Sequence, residues 1–172
     1  MATGDTLKAD VNSLLLDAKR KGAIAVVQKV SDMTKSGAIN GNRAAFPVLD
    51  AIRAEGEAFV LQMVPPYRSA ISTRVKRDSA KAILRQGVEG YLASARTWGR
   101  SGPVFPDGRN EILDRDFPGV AEHLSNAIER EMRLVDAEQK PFWERRPVAI
   151  WISLAGLVVA IVGAAGGLLA HK

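Results

Sequence analysis

Apolar residues recur at helical spacing in the first part of the chain. Between Thr6 and about Lys35 they follow the three-to-four-residue period of an amphipathic helix, with an interruption near Gly22. The run AIAVVQKV inside this range is also compatible with a strand, but no neighbouring segment offers a matching partner strand. The pattern therefore predicts a first helix over residues 6–35.

Prolines delimit the next two predicted helices. The second begins at Pro47, a favoured first helical position, and ends before the sequence VPP, because a residue that precedes proline disfavours the α conformation. The third covers residues 66–98, which is far longer than an average helix. We expect it either to be broken near Gly87 and Gly90 or to form a long exposed rod.

A fourth helix is predicted after a loop. Residues 99–108 contain three glycines and two prolines, and the acidic stretch at 107–116 is interpreted as a turn with capping residues. The helix then covers residues 118–139, where Glu129 precedes Arg133 by four positions as an acid–base pair. Together these patterns predict an all-α cytosolic part, folded as a helical bundle or hairpin.

The pattern changes at residue 148. From Val148 to Ala170, 23 consecutive residues carry no charge. A helix needs roughly 20 apolar residues to cross the hydrocarbon core of a bilayer, which is about 30 Å thick. The alternative is a buried core helix, but such helices usually include polar residues over this length. The run therefore predicts one C-terminal transmembrane helix.

The flanks of the run predict its orientation. Trp143 and Trp151 suit the headgroup region, and Arg145 and Arg146 add positive charge before the run, whereas Lys172 is the one fixed positive charge after it. The positive-inside rule then places the N-terminus in the cytoplasm and the C-terminus outside, and the start MATGDTLKAD lacks the apolar core of a signal peptide. The expected segments are a cytosolic helical domain, a juxtamembrane linker and a tail anchor (residues 1–140, 141–147 and 148–170).

One face of the predicted anchor carries a stripe of small residues. Small residues let two helix backbones approach closely in a membrane, although glycine and alanine are also common in transmembrane helices generally. Gly163 and Gly167 form a GxxxG pair within the stripe. We expect this face to pack against another transmembrane helix, from a second copy or from a larger membrane protein, in an oligomer or complex. The stripe consists of Ser153, Gly156, Ala160, Gly163, Gly167 and Ala170.

The net charge of +5 is concentrated in one segment. Residues 68–106 hold eight basic and two acidic residues, whereas residues 107–146 hold seven basic and ten acidic residues. A basic stripe of this kind suits anionic lipid headgroups, nucleic-acid phosphates or an acidic protein surface. Alternatively, the acidic segment neutralises it within the fold. The stripe consists of Arg74, Arg77, Lys81, Arg85 and Arg96.

The sequence has no recognisable catalytic or metal-binding pattern. It contains no cysteine, which excludes disulfides, thiolate catalysis and thiolate metal sites. His123 has no second ligand four residues away, so we expect a surface or boundary histidine. Motifs for phosphate loops, dinucleotides, zinc proteases and calcium loops are missing from the sequence. We therefore predict a protein that is not an enzyme and that has no cofactor or metal.

In composition, the last thirty residues resemble the tails of small bacterial tail-anchored, ribosome-associated inner-membrane proteins. They share a basic lead-in punctuated by proline, a glycine-rich single span and a short positive tail. The similarity is confined to those thirty residues and implies a bacterial inner membrane. The predicted function is that of an adaptor, scaffold or accessory subunit of a membrane assembly. The alternative is a self-associating protein that perturbs membranes, such as a holin-like or effector protein.

Overall fold

The computed structural model describes residues 4–37, 45–72, 75–98 and 111–139. In these ranges the chain forms four α-helices and no strand, which confirms the all-α prediction for this part of the protein. None of the four is long and apolar enough to cross a membrane. The predicted linker and anchor lie outside the described residues. The helices are α1 (Gly4–Lys35), α2 (Ala45–Ser72), α3 (Arg77–Trp98) and α4 (Glu111–Glu138).

Helix α1 matches its prediction, and Gly22 does not interrupt it. The glycine lies inside the helix, where the ring of Trp98 from α3 occupies the space that a side chain would fill. A Cβ at this position would lie 2.9 Å from Cη2 of Trp98, well inside the contact distance. Gly22 therefore serves the packing of α1 against α3, and it is buried.

Helix α2 does not end before the VPP sequence, so that prediction is wrong. The helix continues through Pro65 and Pro66 to Ser72, although each proline removes one backbone hydrogen bond. Beyond the prolines, Tyr67 and Ile71 are buried in the core. Their burial stabilises the last turns of the helix against the local preference of the prolines, because packing of an apolar face outweighs propensity in most protein helices.

Helix α3 is consequently shorter than predicted. It begins at Arg77 rather than Pro66, and it runs without a break past Gly87 and Gly90. A Cβ on Gly87 would lie 2.8 Å from Cγ1 of Val11, and one on Gly90 would lie 3.1 Å from Cδ2 of Leu15. The two glycines thus allow α1 and α3 to approach closely and do not break the helix.

Helix α4 begins at Glu111, ahead of the predicted start at Pro118, so the turn predicted up to residue 116 is wrong for residues 111–116. Leu113 is buried in this first part of the helix. Glu111 and Asp114 lie in the first turn, where negative charge is favourable next to the positive end of the helix dipole. Pro118 is accommodated inside the helix.

Buried residues of all four helices form one core, which lies within the compact unit that extends to Val135. Tyr91 is fully buried in this core, and its hydroxyl donates a hydrogen bond of 2.8 Å to the carbonyl of Ile52. Its ring stacks on Phe59 at 5.8 Å and meets the edge of Trp98 at 5.5 Å. In the described part of the chain, every buried side-chain nitrogen and oxygen has a hydrogen-bond partner.

Candidate functional site

The predicted basic stripe lies on α3. Arg77, Arg85 and Arg96 are exposed and Lys81 is half-buried, while Arg74 lies outside the described residues. The apolar seam beside the stripe faces inward, since Leu84, Val88, Tyr91 and Ala95 belong to the core and Trp98 packs against it. The basic stripe is therefore on the side of α3 that is turned away from the core.

One member of the stripe already has an acidic partner on α4. Nε of Arg85 donates a hydrogen bond of 2.6 Å to Oε1 of Glu129, which joins residues 44 positions apart. This hydrogen bond lowers the pKa of the Glu129 carboxyl and raises the pKa of the Arg85 guanidinium. Because both side chains are more than a third exposed, the pair contributes at most about 1 kcal/mol. The acidic segment thus neutralises the basic stripe at this position.

The same contact changes the partner of Arg133. The sequence pairs Arg133 with Glu129 one helical turn earlier, but the Glu129 carboxylate turns to Arg85. Arg133 instead donates a hydrogen bond from Nε to the backbone carbonyl of Glu129, at 3.3 Å. The predicted side-chain ion pair between Glu129 and Arg133 is therefore replaced by a pair between helices.

A groove of about 470 Å³ lies between α2 and α4. The hydrogen bond between Nε2 of His123 and Oε1 of Glu57, at 2.5 Å, crosses it from one helix to the other. His123 is about half exposed, as expected for a surface histidine, but its contact with a residue 66 positions away could not be predicted. The groove is lined by Glu57, Val60, Leu61, His123, Asn126, Ala127, Arg130 and Arg133.

The described residues contain no group of three or more His, Cys, Asp or Glu side chains able to hold a metal ion. His123 and Glu57 are two side chains of these types, and they contact each other across the groove.

The outer face of α1 carries large apolar side chains that the core does not use. Leu16 is 69% exposed, Ile24 is 57% exposed and Val27 is 67% exposed. The spacing of these three residues places them on one side of the helix, opposite the buried positions Leu7 and Val11. Ile24 and Val27 are one turn apart and adjacent on this side, whereas the exposed Arg20 lies between them and Leu16.

The residues predicted to act in the membrane lie outside the described ranges. They are the small-residue stripe (Ser153, Gly156, Ala160, Gly163, Gly167 and Ala170) and the interface anchors (Trp143, Arg145, Arg146 and Trp151).

Comparison of the chain with protein-family models, with curated proteins and with solved structures gives no match.

Proposed function

We propose that the chain is a tail-anchored membrane protein that acts as an adaptor, scaffold or accessory subunit of a membrane assembly and catalyses no reaction. The uncharged run of 23 residues from Val148 to Ala170, which follows the helical domain, is the observation that carries this proposal. The charge bias around that run supports a single pass with the helical domain in the cytoplasm. The resemblance of the last thirty residues to the tails of bacterial inner-membrane proteins supports a bacterial inner membrane.

The helical domain supports a role in binding other molecules. Its apolar core is filled from all four helices, while Leu16, Ile24 and Val27 stay at the surface of α1. These three side chains favour a protein partner, because burying them would add a favourable hydrophobic contribution to association. The proposed partners are thus a second transmembrane helix at the small-residue stripe and a protein at the outer face of α1.

The exposed basic residues of α3 favour an additional contact with an anionic surface. Arg77 and Arg96 are exposed on the helix, and Arg85 shares its charge with Glu129. A lipid headgroup layer suits them best among the anionic surfaces, since the proposed anchor keeps the domain near the bilayer.

Truncation after Arg146 is expected to release the protein from membranes. The truncated chain keeps all four helices and loses the whole uncharged run, so it should move to the supernatant after a carbonate wash. A chain truncated after Ala170 is the matched control, because it keeps the run and should stay in the membrane pellet. If the chain ending at Arg146 still pellets after the wash, the proposed anchor is not what holds the protein there.

The alternative function, a self-associating protein that perturbs membranes, is favoured by the small-residue stripe. Close packing of Gly163 and Gly167 between copies would cluster the spans laterally. Under this alternative, induced expression collapses the membrane potential, and Gly163→Leu with Gly167→Leu abolishes the effect. An adaptor should instead be tolerated, with an unchanged potential in both forms, as measured with a potential-sensitive dye.

A further inference from the structure

The groove between α2 and α4 has no part in the proposed function, yet it combines an apolar floor with charged walls. Val60 and Ala127 are buried at its floor, and Leu61 is 57% exposed beside them. Arg130 and Arg133, from successive turns of α4, line it together with Asn126. Of the eight lining residues three are apolar and five are polar or charged, so the groove offers contacts both to an apolar chain and to a charged group.

Arg133 is the cation best placed to bind a ligand. Because Glu129 is held by Arg85 at 2.6 Å, Arg133 keeps a single hydrogen bond, from Nε to the Glu129 carbonyl. Within the described ranges no carboxylate forms an ion pair with its guanidinium, and the Glu129 carboxylate interacts with it only at longer range, through a Coulombic attraction. Arg130, by contrast, is paired with Glu131 at 3.1 Å. The terminal nitrogens of Arg133 thus offer a fork of donors that matches the two oxygens of a carboxylate or phosphate.

The acidic residue of the groove is already occupied. Oε1 of Glu57 is bound to His123 at 2.5 Å, on the α4 turns that precede Arg130 and Arg133. A carboxylate that is hydrogen-bonded in this way repels an incoming anion less than a free one would. The groove therefore favours a ligand with negative charge near Arg133 and an apolar part over Val60 and Leu61.

We propose that this groove binds a small amphiphilic oxyanion, namely a carboxylate or phosphate monoester that bears a short apolar chain. The head binds Arg133 and Asn126, and the chain lies along Leu61 and Val60. The volume of about 470 Å³ is in the range of small-molecule sites, about 300 to 1,000 Å³. The proposal uses only residues of the helical domain, so it does not depend on the membrane anchor.

Monohexyl phosphate is the probe that tests this site. We would titrate it into the full chain in nanodiscs of zwitterionic lipid and measure the heat of binding, with empty nanodiscs as the blank. We expect saturable binding with a dissociation constant of about 1 mM or tighter. Arg133→Gln should weaken it about five- to tenfold, since it removes a charge-assisted hydrogen bond. Arg115→Gln is the matched control, because Arg115 is exposed on α4, pairs with Asp116 and does not line the groove.

The apolar half of the site is tested with Leu61→Ser. The wild-type protein should bind monohexyl phosphate about tenfold more tightly than monoethyl phosphate, because each buried methylene contributes up to about fourfold. Leu61→Ser should reduce this preference, whereas Leu134→Ser should preserve it. Leu134 is 53% exposed, close to the 57% of Leu61, but lies outside the groove.

Two results would overturn the assignment. One is no saturable heat up to about 10 mM monohexyl phosphate. The other is wild-type behaviour of either groove variant, meaning an unchanged affinity in Arg133→Gln or an unchanged chain-length preference in Leu61→Ser. The far-ultraviolet circular dichroism spectrum of each variant is measured as a control. An unchanged spectrum shows that the variant is folded, so a loss of binding is not due to misfolding.

A final experiment distinguishes two sources of such a ligand, a membrane lipid and a free metabolite. Nanodiscs that contain phosphatidate present the same phosphate monoester as a lipid headgroup. If they block monohexyl phosphate binding, the natural ligand is a membrane lipid. If binding persists, the ligand is a free metabolite. Both results support the site and differ only in the source of the ligand.

Discussion

Tyr91→Ala is expected to destabilise the helical domain by about 3–5 kcal/mol, the usual cost of deleting a large buried aromatic side chain. Tyr91 is fully buried and contacts two other aromatic rings, Phe59 and Trp98, on different helices. Its loss leaves a cavity where α2 and α3 meet, and surrounding side chains fill such cavities only in part. In thermal unfolding followed by circular dichroism, the melting temperature should fall by about 10 °C or more.

Tyr91→Phe is the control that separates the ring from the hydroxyl. It keeps both ring contacts and removes the 2.8 Å hydrogen bond to the Ile52 carbonyl, so we expect a loss of about 1 kcal/mol. A loss below about 1 kcal/mol for Tyr91→Ala would contradict the central position of this ring.

The hydroxyl also predicts a response to alkaline pH. Burial, followed by the nearby Glu55 carboxylate, raises the pKa of Tyr91 above its ordinary value near 10. The unfolded chain therefore loses this proton first as pH rises, and the stability contributed by the neutral phenol falls above about pH 10. Tyr91→Phe should make the decline in melting temperature above pH 10 shallower than in the wild type.

Gly87→Leu is expected to cost about 2–4 kcal/mol, through overpacking between α1 and α3. A Cβ at Gly87 would lie 2.8 Å from Cγ1 of Val11 and 3.2 Å from Sδ of Met63. Because Val11 is β-branched, its methyl group cannot move away without a shift of the α1 backbone. The helices would have to separate, and the contacts beside this point would be lost as well.

Gly119→Leu is the matched control, made in another helix. No atom lies within 4 Å of a Cβ built at Gly119, so the gain in helix propensity should raise stability by up to about 1 kcal/mol. The two variants should thus shift the melting temperature in opposite directions. Equal stabilisation by both would mean that α1 and α3 do not meet closely at Gly87.

Helix boundaries were predictable where the local pattern and the packing agree. Helix α1 was predicted over residues 6–35 with an interruption near Gly22, and the observed helix Gly4–Lys35 has nearly the same bounds and no interruption. The rule that helices end before proline failed at Pro65 and Pro66 because it describes only local backbone preference. Burial of Tyr67 and Ile71 beyond the prolines is a property of the assembled bundle, which no local rule contains.

The candidate site was predictable only in part for the same reason. The position of Arg85 on an exposed basic face could be predicted from helical spacing alone. Its partner Glu129 is 44 positions away, and the partner of His123 is 66 positions away, so neither pair leaves a signal in the spacing of residues. The groove between α2 and α4 depends on how these helices pack together. Arg133 lines this groove, and that position also could not be predicted from spacing.

The order of residues was therefore enough to establish the helical character of this protein, its uncharged run and the uneven distribution of its charge. These features depend on residue types and on spacings of three to four positions. Three features depended on the folded bundle. They are the helices that meet at Gly22 and Gly87, the carboxylate that binds Arg85, and the position of the groove. Such contacts join positions far apart in the chain, and their free energy exists only when the helices are packed together.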